Sequence, residues 1–144
     1  MIFRQFQHFD TQSVLELANK YAAFDGTTSE SDLAITTHFQ ECFWVAEEEG
    51  KVVGFAYGYF KDVPLEVLKR WGSKKVAQIE LIAVHPDHRK KGVGESLVSK
   101  LLEAFKKAGA DTVLLNCPAS AVEARSLYEK IGFDVRACQL KKRI

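Results

Sequence analysis

The sequence predicts a single α/β domain in which one mixed sheet places an anion site at the end of a strand. Strand-like apolar stretches alternate with helices whose apolar residues recur every three or four positions. A strand, a glycine-rich loop and a helix follow one another over residues 80–97, and another strand comes next. A strand, helix, strand unit of this length predicts two parallel strands joined by a right-handed crossover.

Composition places the chain among ordinary globular proteins. Its 144 residues are 47% hydrophobic and 27% charged, which predicts one domain spanning residues 1–144. A formal net charge of +1 and a pI near 7.7 argue against a general nucleic-acid partner. Cys42, Cys117 and Cys138 lack CxxC spacing, so we expect neither a disulfide framework nor a metal. We therefore expect a cytoplasmic protein, and no apolar run is long enough to predict a membrane span.

The first half of the chain predicts a strand, two helices and a hairpin. Residues 2–6 alternate as a first strand, and Asp10 or Thr11 begins a helix that reaches toward Gly26. A short helix is expected from Ser29 or Ser31 over Leu33, Ala34 and Phe39. Residues 42–47 and 51–60 then form a hairpin around Glu49 and Gly50.

The second half predicts the elements around the glycine-rich loop. A short helix follows Pro64 and ends at Gly72, and its Trp71 could either pack on the sheet or line a cleft. Residues 76–84 are expected to be the central strand, with one face formed by Ala77, Ile79, Leu81 and Ala83. A helix over 93–108, a strand over 111–117, a helix over 120–131 and a final strand over 133–140 complete the order. The last helix is expected to turn Val122, Leu127 and Ile131 inward.

The loop R-K-K-G-V-G, residues 89–94, has the composition of a phosphate site. Its glycines allow close backbone approach, and the helix that follows offers unpaired N–H groups and a positive dipole end. Neither the Walker pattern nor the dinucleotide fingerprint fits these residues. A solvated basic turn at the start of a helix is the structural alternative.

The string R-K-K-G-V-G resembles the R/QxxGxG/A pyrophosphate loop of the GNAT superfamily of acyl-CoA-dependent N-acetyltransferases. The preceding L-I-A-V-H-P-D-H is similar to the strand and turn that this family places before its loop. A second string, A-R-S-L-Y-E-K-I-G-F at 124–133, resembles the family's closing AxxxYxxxGF signature. The hairpin W-V-A-E-E-E-G-K-V-V-G-F-A extends the similarity, whereas Ala121 stands where many members have Asn.

The resemblance implies a mixed, mostly antiparallel sheet of six or seven strands with about four flanking helices. Strands four and five would be the parallel pair, splayed apart for CoA. The chain stops about a dozen residues after Phe133, which makes a seventh strand doubtful. An open edge there would allow a homodimer.

The resemblance also implies acetyl transfer from acetyl-CoA to a primary amine of a small molecule or a protein, directly within a ternary complex. Tyr128 would donate a hydrogen bond or proton to the leaving sulfur, and Glu80 would take the proton of the amine through water. A packed tyrosine with a satisfied hydroxyl is the structural alternative for Tyr128. The expected cofactor-binding residues are Ile82, Ala83, Val84, Arg89, Lys90, Lys91, Gly92, Val93, Gly94, Asn116 and Tyr128.

Several alternatives remain open at the level of the sequence. Glu80, a carboxylate within an apolar strand, could be salt-bridged, exposed in a cleft or held with a raised pKa. The whole chain could instead be a non-catalytic acyl-CoA-binding or regulatory module, or an interaction domain whose basic loop meets an acidic partner. The sequence does not identify the acceptor amine or the acyl chain length.

Overall fold

The computed structural model describes residues 1–22, 29, 31–32 and 41–144. Their elements are β1 (Ile2–Gln5), α1 (Thr11–Tyr21), β2 (Phe43–Glu48), β3 (Lys51–Lys61), α2 (Leu65–Trp71), β4 (Val76–Val84), α3 (Val93–Lys107), β5 (Thr112–Leu115) and α4 (Val122–Ile131). Short 3-10 turns span His8–Asp10 and Pro86–His88. The helix expected over Leu33, Ala34 and Phe39 lies outside the described residues, as does the expected end of the first helix near Gly26.

The described strands form one mixed sheet in the order β1-β2-β3-β4-β5. Neighbours pair antiparallel from β1 to β4, whereas β4 and β5 pair parallel, which confirms the prediction that these two strands are parallel. The described part of the chain has five strands in this sheet and not six or seven. β3 occupies the middle, so the expectation that residues 76–84 form the central strand is wrong, and β4 lies next to the edge strand.

Helices α1 and α3 cover opposite faces of the sheet with separate apolar clusters. On the α1 side, Val14 and Leu17 pack with Phe43 and Phe55. On the other side, Leu97, Leu101 and Phe105 of α3 pack against the sheet and are fully buried. Each such side chain contributes about 1.5–3 kcal/mol by leaving water, so these two clusters fix both helices on the sheet. Among the described residues, no helix combines the length and the apolarity that crossing a bilayer requires.

A β-bulge changes the two faces that the sequence pattern predicts for β4. Tyr57 pairs with Leu81, but the next residue, Gly58, pairs with Ile79, so Glu80 is the extra residue on β4. The bulge moves Leu81 and Ala83 into the α1-side cluster, while Ala77 and Ile79 join the α3-side cluster. The expectation of one shared face is therefore wrong, because an inserted residue reverses the alternation.

The C-terminal segment also departs from the sequence pattern. Residues 133–144 form neither helix nor strand, so the expected final strand over 133–140 is absent. The guanidinium carbon of Arg136 lies 4.3 Å from the centre of the Trp71 ring. Trp71 is 36% exposed, contacts this segment and is not among the residues that line the main cleft described below. Val122 is 66% exposed and not turned inward, because α4 begins there above an open cleft.

Asp111 connects the loops that begin β4 and β5. Its carboxylate accepts hydrogen bonds from the Ser73 hydroxyl and from the Lys74 backbone N–H at 2.8 Å. Its own N–H donates to the Lys75 carbonyl at 3.0 Å. These bonds, the Ser73 hydroxyl first, lower the pKa of Asp111 from 3.8 to about 2. The carboxylate thus holds the parallel strands in register at their amino ends.

Replacing Asp111 should make the stability of the fold less dependent on pH in the acidic range. A carboxyl whose pKa is lower in the folded protein stabilises the fold above its unfolded pKa, and that contribution disappears as the pH falls through about 2. We expect Asp111→Asn to melt at a lower temperature than the wild type at pH 7. The difference in melting temperature between the wild type and the variant should disappear between pH 4 and pH 2. Circular dichroism melts test this, with Asp134→Asn, an exposed carboxylate of the C-terminal segment, as control; a gap constant with pH would contradict it.

Candidate active site

A cleft of about 690 Å³ lies where β4 ends and where α3 and α4 begin. The end of β4, the glycine-rich loop and the first two turns of α4 form its walls. Its lining comprises Tyr21, residues 82–84, Arg89, Lys90, residues 92–95, residues 120–124, Leu127, Tyr128 and Lys130. Most of the residues that the sequence predicted as cofactor-binding therefore line one cleft.

The sheet opens toward this cleft because β5 is shorter than β4. Pairing between the two strands ends at Ile79 and Leu115. Residues 80–84 of β4 continue beyond that point with β3 as their strand partner on the other side, through pairs such as Ile82 with Ala56. Among the described residues, no strand pairs with the other edge of residues 80–84.

The glycine-rich loop turns the chain into α3 through two left-handed residues. Lys90 has φ 58° and Gly92 has φ 80°, a conformation that favours glycine at the second position. The first intrahelical hydrogen bond runs from the Ser96 N–H to the Gly92 carbonyl at 3.0 Å. The N–H groups of Val93 and Gly94 precede it, and their residues line the cleft. The start of α3 therefore offers donors and a positive dipole end to an anion.

Gly94 also lets α3 approach α4 closely. A Cβ at this position would lie 3.3 Å from the Leu127 Cδ2 atom and 3.9 Å from a methyl group of Val84. The floor of the cleft is consequently narrow at this point, and a larger side chain would fill it.

The basic side chains of the loop differ in what they contact. Arg89 folds back over the strand end, where its Nε donates to the Val84 carbonyl at 3.0 Å. Its guanidinium carbon lies 6.0 Å from the centre of the Tyr21 ring. The Lys90 ammonium lies 3.6 Å from Glu123 of α4, and both are well exposed. Lys91 is exposed and does not line the cleft.

Tyr128 lies on the wall of the cleft that α4 provides. Its ring packs on the α3-side cluster and meets Phe133 edge to face, with the ring centres 6.1 Å apart. Burial, followed by the nearby Cys117 thiol, raises the pKa of Tyr128 from 10.0 to about 12. The hydroxyl is therefore protonated throughout the physiological range and can donate a hydrogen bond.

Glu80 and Asn116 stand apart from the cleft lining. Asn116 is exposed just beyond the end of β5. Glu80 is exposed at the bulge. Burial, followed by the charge of Glu80, raises the pKa values of Tyr57 and Tyr59 on β3. The structure thus places Glu80 near two tyrosines on the neighbouring strand, and no ion pair joins it to another described residue.

Sequence reasoning missed Tyr21 and Leu127 as cleft residues. Tyr21 is the last residue of α1, and its ring meets His85 at a centre-to-centre distance of 5.2 Å. A tyrosine at the end of the apolar stripe of a helix commonly packs in a core, so the sequence pattern alone did not indicate that Tyr21 lines a cleft. Leu127, next to Tyr128 in the closing signature, was predicted to point inward, and here that means into the cleft.

The two histidines of the turn after β4 have different surroundings. His85 accepts a hydrogen bond at Nδ1 from the Asp87 N–H at 3.3 Å. His88 is 20% exposed, and its Nε2 lies 2.7 Å from a carboxylate oxygen of Glu48. His88 is therefore partly buried against the end of β2. No group of three or more side chains suited to a metal ion was found among the described residues.

Comparisons with known proteins find a matching family model and similar proteins. Residues 11–133 match the model of the acetyltransferase (GNAT) family. Human N-acetyltransferase 8 is 34% identical over 92 residues, which are 64% of this chain and 38% of that protein. The chain thus spans about two fifths of the length of the curated relative it matches.

Solved structures show the same fold. Ard1 from Thermoplasma volcanium superposes with a TM-score of 0.79 at 26% identity, over 94% of this chain and 84% of that one. Naa20 from Chaetomium thermophilum, solved in complex with a bisubstrate analogue, superposes with a TM-score of 0.78 at 25% identity, over 94% of this chain and 72% of that one.

Proposed function

The chain belongs to the acetyltransferase (GNAT) family, and we propose that it transfers an acetyl group from acetyl-CoA to a primary amine of a small molecule or protein. One observation carries the proposal. A single cleft is lined by the end of β4 at residues 82–84, by the residues that begin α3 and by Tyr128. These are the groups that a thioester with a pyrophosphate tail would need.

The cleft fits acetyl-CoA as a co-substrate in the order in which its elements occur. The loop of residues 89–94 binds the pyrophosphate, because Arg89, Lys90 and the residues that begin α3 all line the cleft there. The backbone of Ile82, Ala83 and Val84 holds the pantetheine arm along the open strand edge. Asn116 lies outside the cleft lining, so a contact from it would require the ligand to extend beyond β5.

The transfer itself needs a neutral amine and a stabilised leaving group. The amine nitrogen attacks the carbonyl carbon of the thioester, a C–N bond forms and the C–S bond breaks. Tyr128 donates its proton or hydrogen bond to the departing sulfur, so that CoA leaves as the thiol and solvent reprotonates the tyrosine. Glu80 accepts the proton of the amine through water, since it is solvent-exposed beside the strand opening.

Direct transfer requires both substrates to be bound together. The Chaetomium relative was solved with a bisubstrate analogue, a type of compound that joins features of two substrates. This supports a ternary complex for the present chain. Its acceptor would approach from the side of the sheet where Glu80 and the β3 tyrosines lie.

Thiol release separates the enzyme from a non-catalytic acyl-CoA-binding module. The purified chain is incubated with acetyl-CoA and a panel of amines that includes polyamines, amino acids, aminoglycosides and peptides with free N termini. We expect amine-dependent release of CoA together with an acetylated amine detected by mass spectrometry. Binding of acetyl-CoA without release for any amine would favour the regulatory module.

A further inference from the structure

We infer that Glu48 and His88 form a positioning pair that holds the pyrophosphate loop against the sheet, although neither residue lines the cleft. The inference rests on the proposed function, because it concerns the same acetyl-CoA site. It assigns a role in cofactor binding to the β2 end of the β2–β3 hairpin. The His88 Nε2 atom and the Glu48 carboxylate are 2.7 Å apart across 40 positions of sequence.

The turn that carries His88 is fixed to the sheet at both of its ends. At its start, the His85 N–H donates to the Val53 carbonyl of β3 at 2.8 Å. At its end, His88 reaches Glu48, the last residue of β2. Local bonds close the turn between these points, from the His88 N–H to the His85 carbonyl at 2.9 Å. The hairpin therefore positions this turn from two strands.

The loop begins immediately after this turn. Arg89 follows His88, and its N–H donates to the Pro86 carbonyl at 3.2 Å. Its side chain donates to the Val84 carbonyl. The positions of the backbone N–H and of the side chain of Arg89 therefore both depend on the position of the turn. Displacement of His88 would thus move the residue that opens the pyrophosphate loop.

The surroundings of the His88 ring indicate a specific hydrogen bond and not a loose surface ion pair. Its Nδ1 atom is buried and has no hydrogen-bond partner among the described residues. A proton on Nδ1 would be left unsatisfied there, which costs free energy, so we assign the donor of the hydrogen bond to Glu48 to the Nε2 atom. An amide oxygen in place of the carboxylate could accept the same bond.

Titration with two ligands separates loop positioning from general damage to the fold. Binding of acetyl-CoA is measured directly. Binding of S-acetylpantetheine, which lacks the pyrophosphate, is measured by its displacement of acetyl-CoA. We expect Glu48→Ala to weaken acetyl-CoA binding about tenfold, in line with the loss of one partly buried hydrogen bond, and to leave S-acetylpantetheine binding within about twofold. Glu48→Gln, which retains an acceptor, should recover most of the lost affinity.

Two further variants serve as controls. Glu49→Ala removes the same charge one position away at an exposed residue and should bind both ligands like the wild type. Combining Glu48→Ala with His88→Phe should weaken acetyl-CoA binding no more than either change alone, because both remove one interaction.

The outcomes distinguish the inference from the function on which it rests. Equal weakening of both ligands by Glu48→Ala, or unchanged acetyl-CoA binding, would overturn the positioning pair while the acetyltransferase proposal stands. Failure of Glu48→Gln to recover affinity would also overturn it. A wild-type protein that binds neither ligand would overturn the proposed function and this inference together.

Discussion

Tyr128→Phe should lower kcat about a hundredfold and leave the Kd for acetyl-CoA within about threefold of the wild-type value. The ring is held by the α3-side cluster and by Phe133, so phenylalanine can occupy the same position. What disappears is the hydroxyl, whose pKa of about 12 keeps it protonated and available to the leaving sulfur. Steady-state rates and isothermal titration measure the two quantities separately.

The contrast between the two quantities identifies the role. An unchanged kcat would remove Tyr128 from the mechanism and leave it as a packing residue. A large rise in Kd with kcat preserved would instead make it a binding residue. The melting temperature should stay close to that of the wild type, which excludes loss of the fold as the cause of either result.

Gly58→Ala should destabilise the fold by about 3 kcal/mol, the upper part of the range for overpacked interiors. A Cβ at Gly58 would lie 2.2 Å from the Gln78 carbonyl oxygen and 2.7 Å from the Phe105 ring. Moving the Gln78 backbone or the buried Phe105 ring away from the new methyl group would cost free energy. Because the bulge falls at this position, the change should also disturb Glu80.

Urea unfolding gives the comparison, with Gly54→Ala as the matched control on the same strand. A Cβ at Gly54 would be 3.2 Å or more from its neighbours, so a smaller loss is expected there. Equal losses for the two variants would contradict the close approach at the bulge.

The sequence predicted the loop of residues 89–94 because all of its determinants are local. A strand, two glycines and the start of a helix within one short stretch define where N–H groups point, whatever the rest of the fold does. Tyr128 was predicted from the resemblance of residues 124–133 to the family's closing signature, and not from spacing alone. Its placement beside the loop required the βαβ crossover, which the sequence also predicted.

The bulge at Glu80 could not be predicted because both faces of β4 are apolar. Strict alternation predicts that Ala77 and Leu81 share a face, and an inserted residue leaves no compositional mark when either face can be buried. The bulge affects the candidate site, because it places Glu80 at the surface and turns Leu81 toward α1.

The C-terminal segment shows the limit of a strand-like pattern. Residues 133–140 alternate well enough to predict a strand, but a strand needs hydrogen-bonding partners that its own sequence does not supply. The His88 and Glu48 pair was beyond prediction for a related reason. Its members are 40 positions apart and meet only through the pairing of three strands.

Isothermal titration of the wild-type chain with acetyl-CoA tests the central claim most directly, together with a variant carrying Arg89→Ala and Gly92→Asp. Gly92 has φ 80°, and an aspartate there would add strain and a negative charge at the start of α3. We expect micromolar binding by the wild type and its loss, by about a hundredfold or more, in the folded variant. Absence of binding by the wild type, or equal binding by the variant, would contradict the assignment of this cleft to acetyl-CoA.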